Sequence, residues 1–332
     1  MALPSLLANT PLSVLDLAPL RQGGTVADTF RDTLDLARHA EQWGYRRYWL
    51  AEHHNIYGVA CSATSVLIGF VAGGTSKIRV GSGGVMLPNH APLAIAEQFG
   101  TLDALYPGRI DLGLGRAPGG DSAVARVLRH GLRDGDDFAE LLAELRAYLS
   151  PPKAGQAVHA YPGEGADVPI WLLGSSGYSA ELAGLLGLPF AFAGHFQPDH
   201  MEAALGLYRD SFRASAHLQQ PHAMACLPVI AADTGAQARH LATTAQHKFL
   251  NLIRNRPAPL MPPATALDWS PAEQAAVASK LRAAIIGSAQ TVHRELESLL
   301  RKIQVQELMI VTDTYDHADR LRSYELVAAL AS

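Results

Sequence analysis

Short apolar runs alternate with longer amphipathic segments along this chain. The strand-like runs are LSVLDL (12–17), RYWLAEH (47–53), IRVGSGGVML (78–87), IDLGLGRA (110–117), IWLLGS (170–175), FAFAGHF (190–196), MACLPVIAA (224–232) and ELMIVTD (307–313). Between the first two, TVADTFRDTLDLARHAEQWG carries Val26, Phe30, Leu34, Ala37 and Trp43 at roughly helical spacing and stops at Gly44. Strands that alternate with helices predict a parallel sheet with the helices outside it. Eight such units favour a (β/α)8 TIM barrel over a doubly wound sheet, with the whole chain, 1–332, as one domain. Two segments exceed the simple unit, 118–169 and 255–290. The second opens NRPAPLMPPATALDWSP, with five prolines and little periodicity. It predicts a long excursion of the kind that serves as a lid.

Composition narrows the class of partner. Hydrophobic residues make up 48% of the chain and charged ones 17%, enough apolar surface for a large ordered core. The net charge of -4 comes without a run of Lys or Arg, which argues against nucleic acid or an acidic membrane surface and for a small molecule. Cys61 and Cys226 sit far apart in apolar stretches and read as reduced core thiols, so a cytoplasmic location is expected. The opening MALPSLLANTPLSVLDL lacks a basic segment and is broken by Pro4 and Pro11, and no 18-residue apolar run occurs. Neither export nor membrane insertion is expected.

A barrel of this kind carries its chemistry at the carboxyl ends of the strands. Polar residues fall there: Glu52, His53, His54 and Asn55 after the second run, Asn89 and His90 after the third, Arg116 after the fourth, Ser175 and Ser176 after the fifth, His195 after the sixth. Adjacent residues on a strand point to opposite faces, so His53 and His54 make a poor metal pair, and the chain has no His-x-His, HExxH or CxxC. No metal is expected. An anion site fares better in GSSGYSAELAGLLG, where Ser175 to Ser179 stand between a strand and a helix start with free N–H groups. A plain N-cap by Ser176 or Ser179 accounts for those hydroxyls equally well. Arg116 is a matching cation, or an ion-pair partner of Asp121. GLGRAPGG (113–120) is not a dinucleotide fingerprint, because Pro118 takes the last glycine position. Three glycines in GSGGVMLP (81–88) mark either a flat ligand against Gly83 and Gly84 or a bulge in the barrel wall.

Taken in order, these segments resemble the bacterial luciferase-like flavin monooxygenase family, above all its single-chain bacterial members. The resemblance rests on AEHH (51–54), GSGGVMLPNHAPLAIAEQFGTLDALYPGRIDLGLGRAPGGD (81–121) and LGSSGYSAELAGLLGLPFAFAGHF (173–196), with little motif support beyond residue 200. It implies a (β/α)8 barrel that takes reduced FMN from a separate flavin reductase, a transient partner, and uses it with O2 to oxygenate a small organic substrate. By position, Glu52 and His53 match the family's acidic residue and catalytic histidine. Gly83 and Gly84 match the site of a non-prolyl cis peptide beneath the flavin ring. Arg116 matches a phosphate-contacting arginine, Ser176 and Ser179 match phosphate-binding hydroxyls, and Tyr178 is a further contact. The resemblance also implies a homodimer through helices near the second and third strands, and a mobile loop at 255–290 that excludes water. Flavin supplies the redox chemistry, leaving the protein to bind it and move protons. That role falls to His53, with Glu52 or another acceptor setting its tautomer and His54 in support. Two alternatives share the pattern: a deazaflavin-dependent hydride-transfer oxidoreductase, and a flavin-binding protein without turnover.

Overall fold

Each predicted run contains a strand in the computed structural model, which describes residues 5–128 and 137–331. The strands are β1 (Leu12–Asp16), β2 (Arg47–Leu50), β3 (Arg79–Ser82), β4 (Val85–Met86), β5 (Ile110–Gly115), β6 (Ile170–Gly174), β7 (Phe190–Ala193), β8 (Ala223–Ala232), β9 (Ile285–Ser288) and β10 (Glu307–Val311). Neighbours pair in parallel in the order β10-β1-β2-β3-β5-β6-β7-β8, and β10 also pairs with β8, which closes the ring. The fold is therefore an eight-stranded TIM barrel with helices outside. Every residue of β1, β2, β5 and β10 is buried, as expected of parallel strands covered on both faces.

Local chemistry explains the elements and corrects several sequence expectations. The helix Val26–Gln42 starts with a capping box, Thr25 and Asp28 bonding each other's backbone N–H, and Gly44 leaves it at φ +83°. Its buried stripe is Thr29, Thr33, Leu36, Ala37 and Ala40, whereas Val26 is exposed and Phe30 and Leu34 lie at the edges. The third predicted strand is two: β3 pairs with β5 through Val80 and Gly81, the chain breaks at Gly83-Gly84, and β4 rejoins β5 through Val85 and Met86.

The excursion 255–290 is not structureless. It holds the helix Pro271–Lys280, started by a Ser270–Glu273 capping box, and β9, which extends the wall from the outer half of β8 (Val229↔Ile285 to Ala232↔Ser288). Its first part is strapped across the mouth: Leu260 N–H donates to Leu20 O at 2.8 Å and Gln22 N–H to Leu260 O at 2.8 Å. Of the other insertion, 118–169, residues 129–136 lie outside the described residues. The remainder supplies the helix Phe138–Leu149, which packs on the helix Pro92–Leu105. Among the described residues no helix is long and apolar enough to cross a membrane.

The end of the barrel opposite the mouth is sealed by charge. Arg47, the first residue of β2, is buried and donates to Glu307 of β10 (Nε to Oε1, 2.7 Å) and to Asp111 of β5 (Nη1 to Oδ2, 2.7 Å). Arg79 and Trp49 also donate to Asp111, Ser13 donates to Glu307, and the Arg47 guanidinium lies 4.8 Å from the Trp171 ring centroid.

Candidate active site

Two adjoining cavities open at the carboxyl ends of the strands. The first is bounded by Leu15, Trp49, Gly83, Gly84, Arg116, Ser176 and Ser179. The second lies under the strap and is lined mostly by apolar side chains such as Ile56, Phe249, Leu252 and Leu260. Leu17, His53, His195 and Phe196 line both. These four residues are the wall between the cavities.

In the first cavity the Gly83-Gly84 peptide is cis. Glycine is demanded by close approach: a Cβ on Gly84 would sit 2.8 Å from Gly113 O, and one on Gly83 would sit 2.8 Å from Leu15 Cδ1. The strand is interrupted here, as the bulge reading expects, and the interruption lines the first cavity. At the far end Ser176 occupies the N-cap of the helix Gly177–Leu186 without a side-chain cap bond. Among the described residues the hydroxyls of Ser176 and Ser179 have no partner, so the capping explanation does not hold. The Arg116 guanidinium lies 4.4 Å from the Tyr178 ring centroid at the exposed rim. Asp121, its proposed ion-pair partner, instead accepts from the N–H groups of Ala123 and Val124 and from Asn55. Hydroxyls, a helix N-terminus and an exposed guanidinium thus stand together beside an apolar slot, a donor set whose chemistry suits an anion.

Glu52 and His53 separate in role. Strand β2 ends at Leu50, so both histidines stand in the loop beyond it, and strand alternation does not govern them. Glu52 is 1% exposed and holds its neighbours together: His54 Nε2 lies 2.9 Å from Oε1, His90 Nε2 bridges both oxygens at 2.9 and 3.0 Å, and Met86 N–H donates to Oε2 at 3.1 Å. Burial opposes its ionisation, but the bonds from His54, His90 and Met86 hold its carboxyl down at about 2. Of the two expected ways to set the His53 tautomer, Glu52 or another group, Glu52 is not the one: its oxygens serve His54 and His90. His53 Nδ1 faces Cys61 Sγ at 3.8 Å. Burial, helped by the Lys248 ammonium, pushes His53 down to about 4, so the ring is neutral at ordinary pH.

His195, a polar residue at the end of the sixth predicted run, belongs with this group. Its Nδ1 is buried without a partner, its ring lies 4.3 Å from Phe196, and burial with His53 and Lys248 pushes it down to about 3. Lys248 pairs with Asp313 at 2.7 Å in the second cavity. Asp313 stood visibly at the end of ELMIVTD; Lys248, inside a helix, carried no signal. Asp16 ends β1 at the same mouth, but Arg320, Thr33 and Ala18 N–H occupy its oxygens, which makes it a structural carboxylate.

The profile of the luciferase-like monooxygenase family matches residues 10–326. The chain belongs to that family. The luciferase-like monooxygenase of Escherichia coli K12 is 50% identical over 95% of each chain, and the Bacillus subtilis protein YvbT is 58% identical over 96% of each. Among solved structures, apo-MsnO8 superposes with a TM-score of 0.87 at 34% identity, covering 97% of this chain and 98% of that one. Two more distant structures share the fold and carry different cofactors. The FMN complex of the oxygenating constituent of 3,6-diketocamphane monooxygenase from Pseudomonas putida has a TM-score of 0.74 at 18% identity, covering 96% of this chain and 97% of that one. An F420-dependent secondary alcohol dehydrogenase has a TM-score of 0.70 at 13% identity, covering 98% and 99%.

Proposed function

We propose that this luciferase-like protein is a two-component monooxygenase that receives reduced FMN from a separate reductase and uses O2 to oxygenate a small organic substrate. The observation that carries this reading is the pair of cavities sharing His53, His195, Phe196 and Leu17. The lining of the first cavity suits FMN: Gly83, Gly84, Leu15 and Trp49 would take the ring, and Arg116, Ser176, Ser179 and the helix N-terminus would hold the phosphate, with Tyr178 backing the arginine. Bound FMN, when reduced, supplies the electrons that activate O2. The chain's own residues bind, shield and handle protons. The strap at 257–260 and the apolar lining of the second cavity keep water from the shared wall, and neutral His53 and His195 stand where oxygen chemistry meets the substrate. Glu52 fixes the loop that presents His53 by tying it to Met86 and His90.

Anaerobic titration with reduced FMN tests the reading. Saturable binding is expected, tighter than for the deazaflavin F420, and Arg116→Ala is expected to weaken it about 10-fold by removing one charge-assisted phosphate contact. Absence of saturable FMN binding sinks the proposal, and a preference for F420 transfers the protein to the hydride-transfer reading.

The proposed assembly is a homodimer. The helix Thr64–Gly74, which follows β2, exposes Val66 (69%) and Phe70 (44%) one turn apart. Phe70→Glu is expected to raise the dimer dissociation constant at least 10-fold in sedimentation equilibrium. A wild-type chain that sediments as a monomer at micromolar concentration contradicts this assembly.

A further inference from the structure

Which nitrogen of His53 carries the proton decides whether the ring offers the cavities a donor or an acceptor. Its sequence neighbour Glu52 does not decide it, because those oxygens serve His54 and His90. The group facing Nδ1 is the Cys61 thiol, at 3.8 Å and fully buried. Nε2 has no protein partner among the described residues, and the ring lines both cavities.

The direction of the Cys61–His53 bond follows from what reaches the sulfur. That group is His53 Nδ1, and an imidazole nitrogen is a far better acceptor than a thiol sulfur, so the S–H donates to Nδ1 rather than the reverse. Burial pushes the thiol up to about 12, which keeps the hydrogen on sulfur at any working pH. The imidazole in turn is neutral above about 4.

We propose that Cys61 is a positioning residue: its S–H donates to His53 Nδ1, fixes the Nε2–H tautomer, and so aims one N–H donor at the space the two cavities share. His53 then serves as a hydrogen-bond donor to an oxygen held there. It is not the base that removes a proton, since its one unprotonated nitrogen faces Cys61. The consequence for catalysis rests on the two-cavity reading above; the tautomer itself does not. A cysteine that merely fills space would act as a small apolar group, and its loss would lower stability without touching the ring's protonation.

The test is 15N NMR of histidine-labelled, flavin-free protein, with the His53 signals assigned by their disappearance in His53→Gln. Wild type is expected to show His53 Nε2 at a protonated shift and Nδ1 at an unprotonated shift. Cys61→Ser, which keeps a donor, is expected to retain that pattern; Cys61→Ala is expected to move the two shifts toward each other as the tautomers mix. Protonated Nδ1 in wild type overturns the proposal, as does an unchanged pattern in Cys61→Ala. Where Cys61→Ala fails to fold, the wild-type spectrum alone decides. A failure of FMN binding would sink the functional reading and leave this result standing.

Discussion

Arg47→Ala is expected to cost about 3–5 kcal/mol of folding free energy, because it removes the cation from between two buried carboxylates. Glu307 and Asp111 are both fully buried, and Arg47 gives each a 2.7 Å bond. Asp111 keeps Arg79, but Glu307 is left with Ser13 and two more distant groups, His222 at 3.8 Å and the half-exposed Arg46 at 3.9 Å. Urea unfolding measures the loss as a fall in midpoint at constant slope. Charge and packing separate in a cycle: Arg47→Met restores bulk without charge and should recover little, whereas Arg47→Met with Glu307→Gln should cost less than the two single changes added. The pH dependence gives a second readout. In wild type, burial opposes the ionisation of Glu307 while His222, Arg47 and Ser13 hold its carboxyl below the ordinary range. A lowered native pKa means stability that is full above the unfolded carboxylate value near ~4.3 and is lost as pH falls through the native one. Without Arg47 the burial effect dominates and the sign reverses, so the variant should gain stability as the pH drops from about 7 toward 5. A loss under about 1 kcal/mol, or an unchanged pH slope, would show that the charge cluster does not hold the barrel floor.

The same cluster shows why part of the molecule was legible in the sequence and part was not. Strand positions follow from short-range pattern, and all eight barrel strands lie within the apolar runs. Arg47, Asp111 and Glu307 are 64 and 260 residues apart along the chain, and only closure of the barrel brings them together. β9 escaped notice because IIGS is a four-residue run whose partner is the overlong outer half of β8. At the mouth, GSSGYS, Arg116 and the double glycine were readable because each stands at a strand end with unusual local chemistry. The partners of Glu52 were not. Alternation assigned His53 and His54 to opposite faces, yet β2 stops at Leu50 and a loop with Asn55 at φ +55° directs both. Lys248 and Cys61 gave no sign at all, since a lysine in an amphipathic helix and a cysteine in an apolar stretch are ordinary until the fold turns them toward His53.

His53→Ala is expected to leave the affinity for reduced FMN within about threefold of wild type, while shortening the delay between oxygen uptake and hydrogen peroxide release by about 100-fold, the lower end of what one placed proton-handling group contributes. The division follows from geometry. In the proposed reading Arg116, Ser176 and Ser179 would hold the phosphate and Gly83 and Gly84 would floor the ring, whereas His53 stands where the first cavity meets the second. Losing the imidazole removes an N–H donor and opens a passage between two spaces otherwise separated by His53, His195, Phe196 and Leu17. Water admitted there both competes for hydrogen bonds and carries protons to reactive oxygen. His53→Gln separates the two effects, because it restores bulk and an N–H donor without a titratable ring; a return of most of the delay in Gln but not in Ala would assign the function to shielding and donation. Stopped-flow absorbance of the flavin together with a peroxide assay gives both quantities from one mixing experiment. Equal loss of FMN affinity in His53→Ala and Arg116→Ala would mean that the two cavities are one site, and the separation of binding from oxygen chemistry would have to be abandoned.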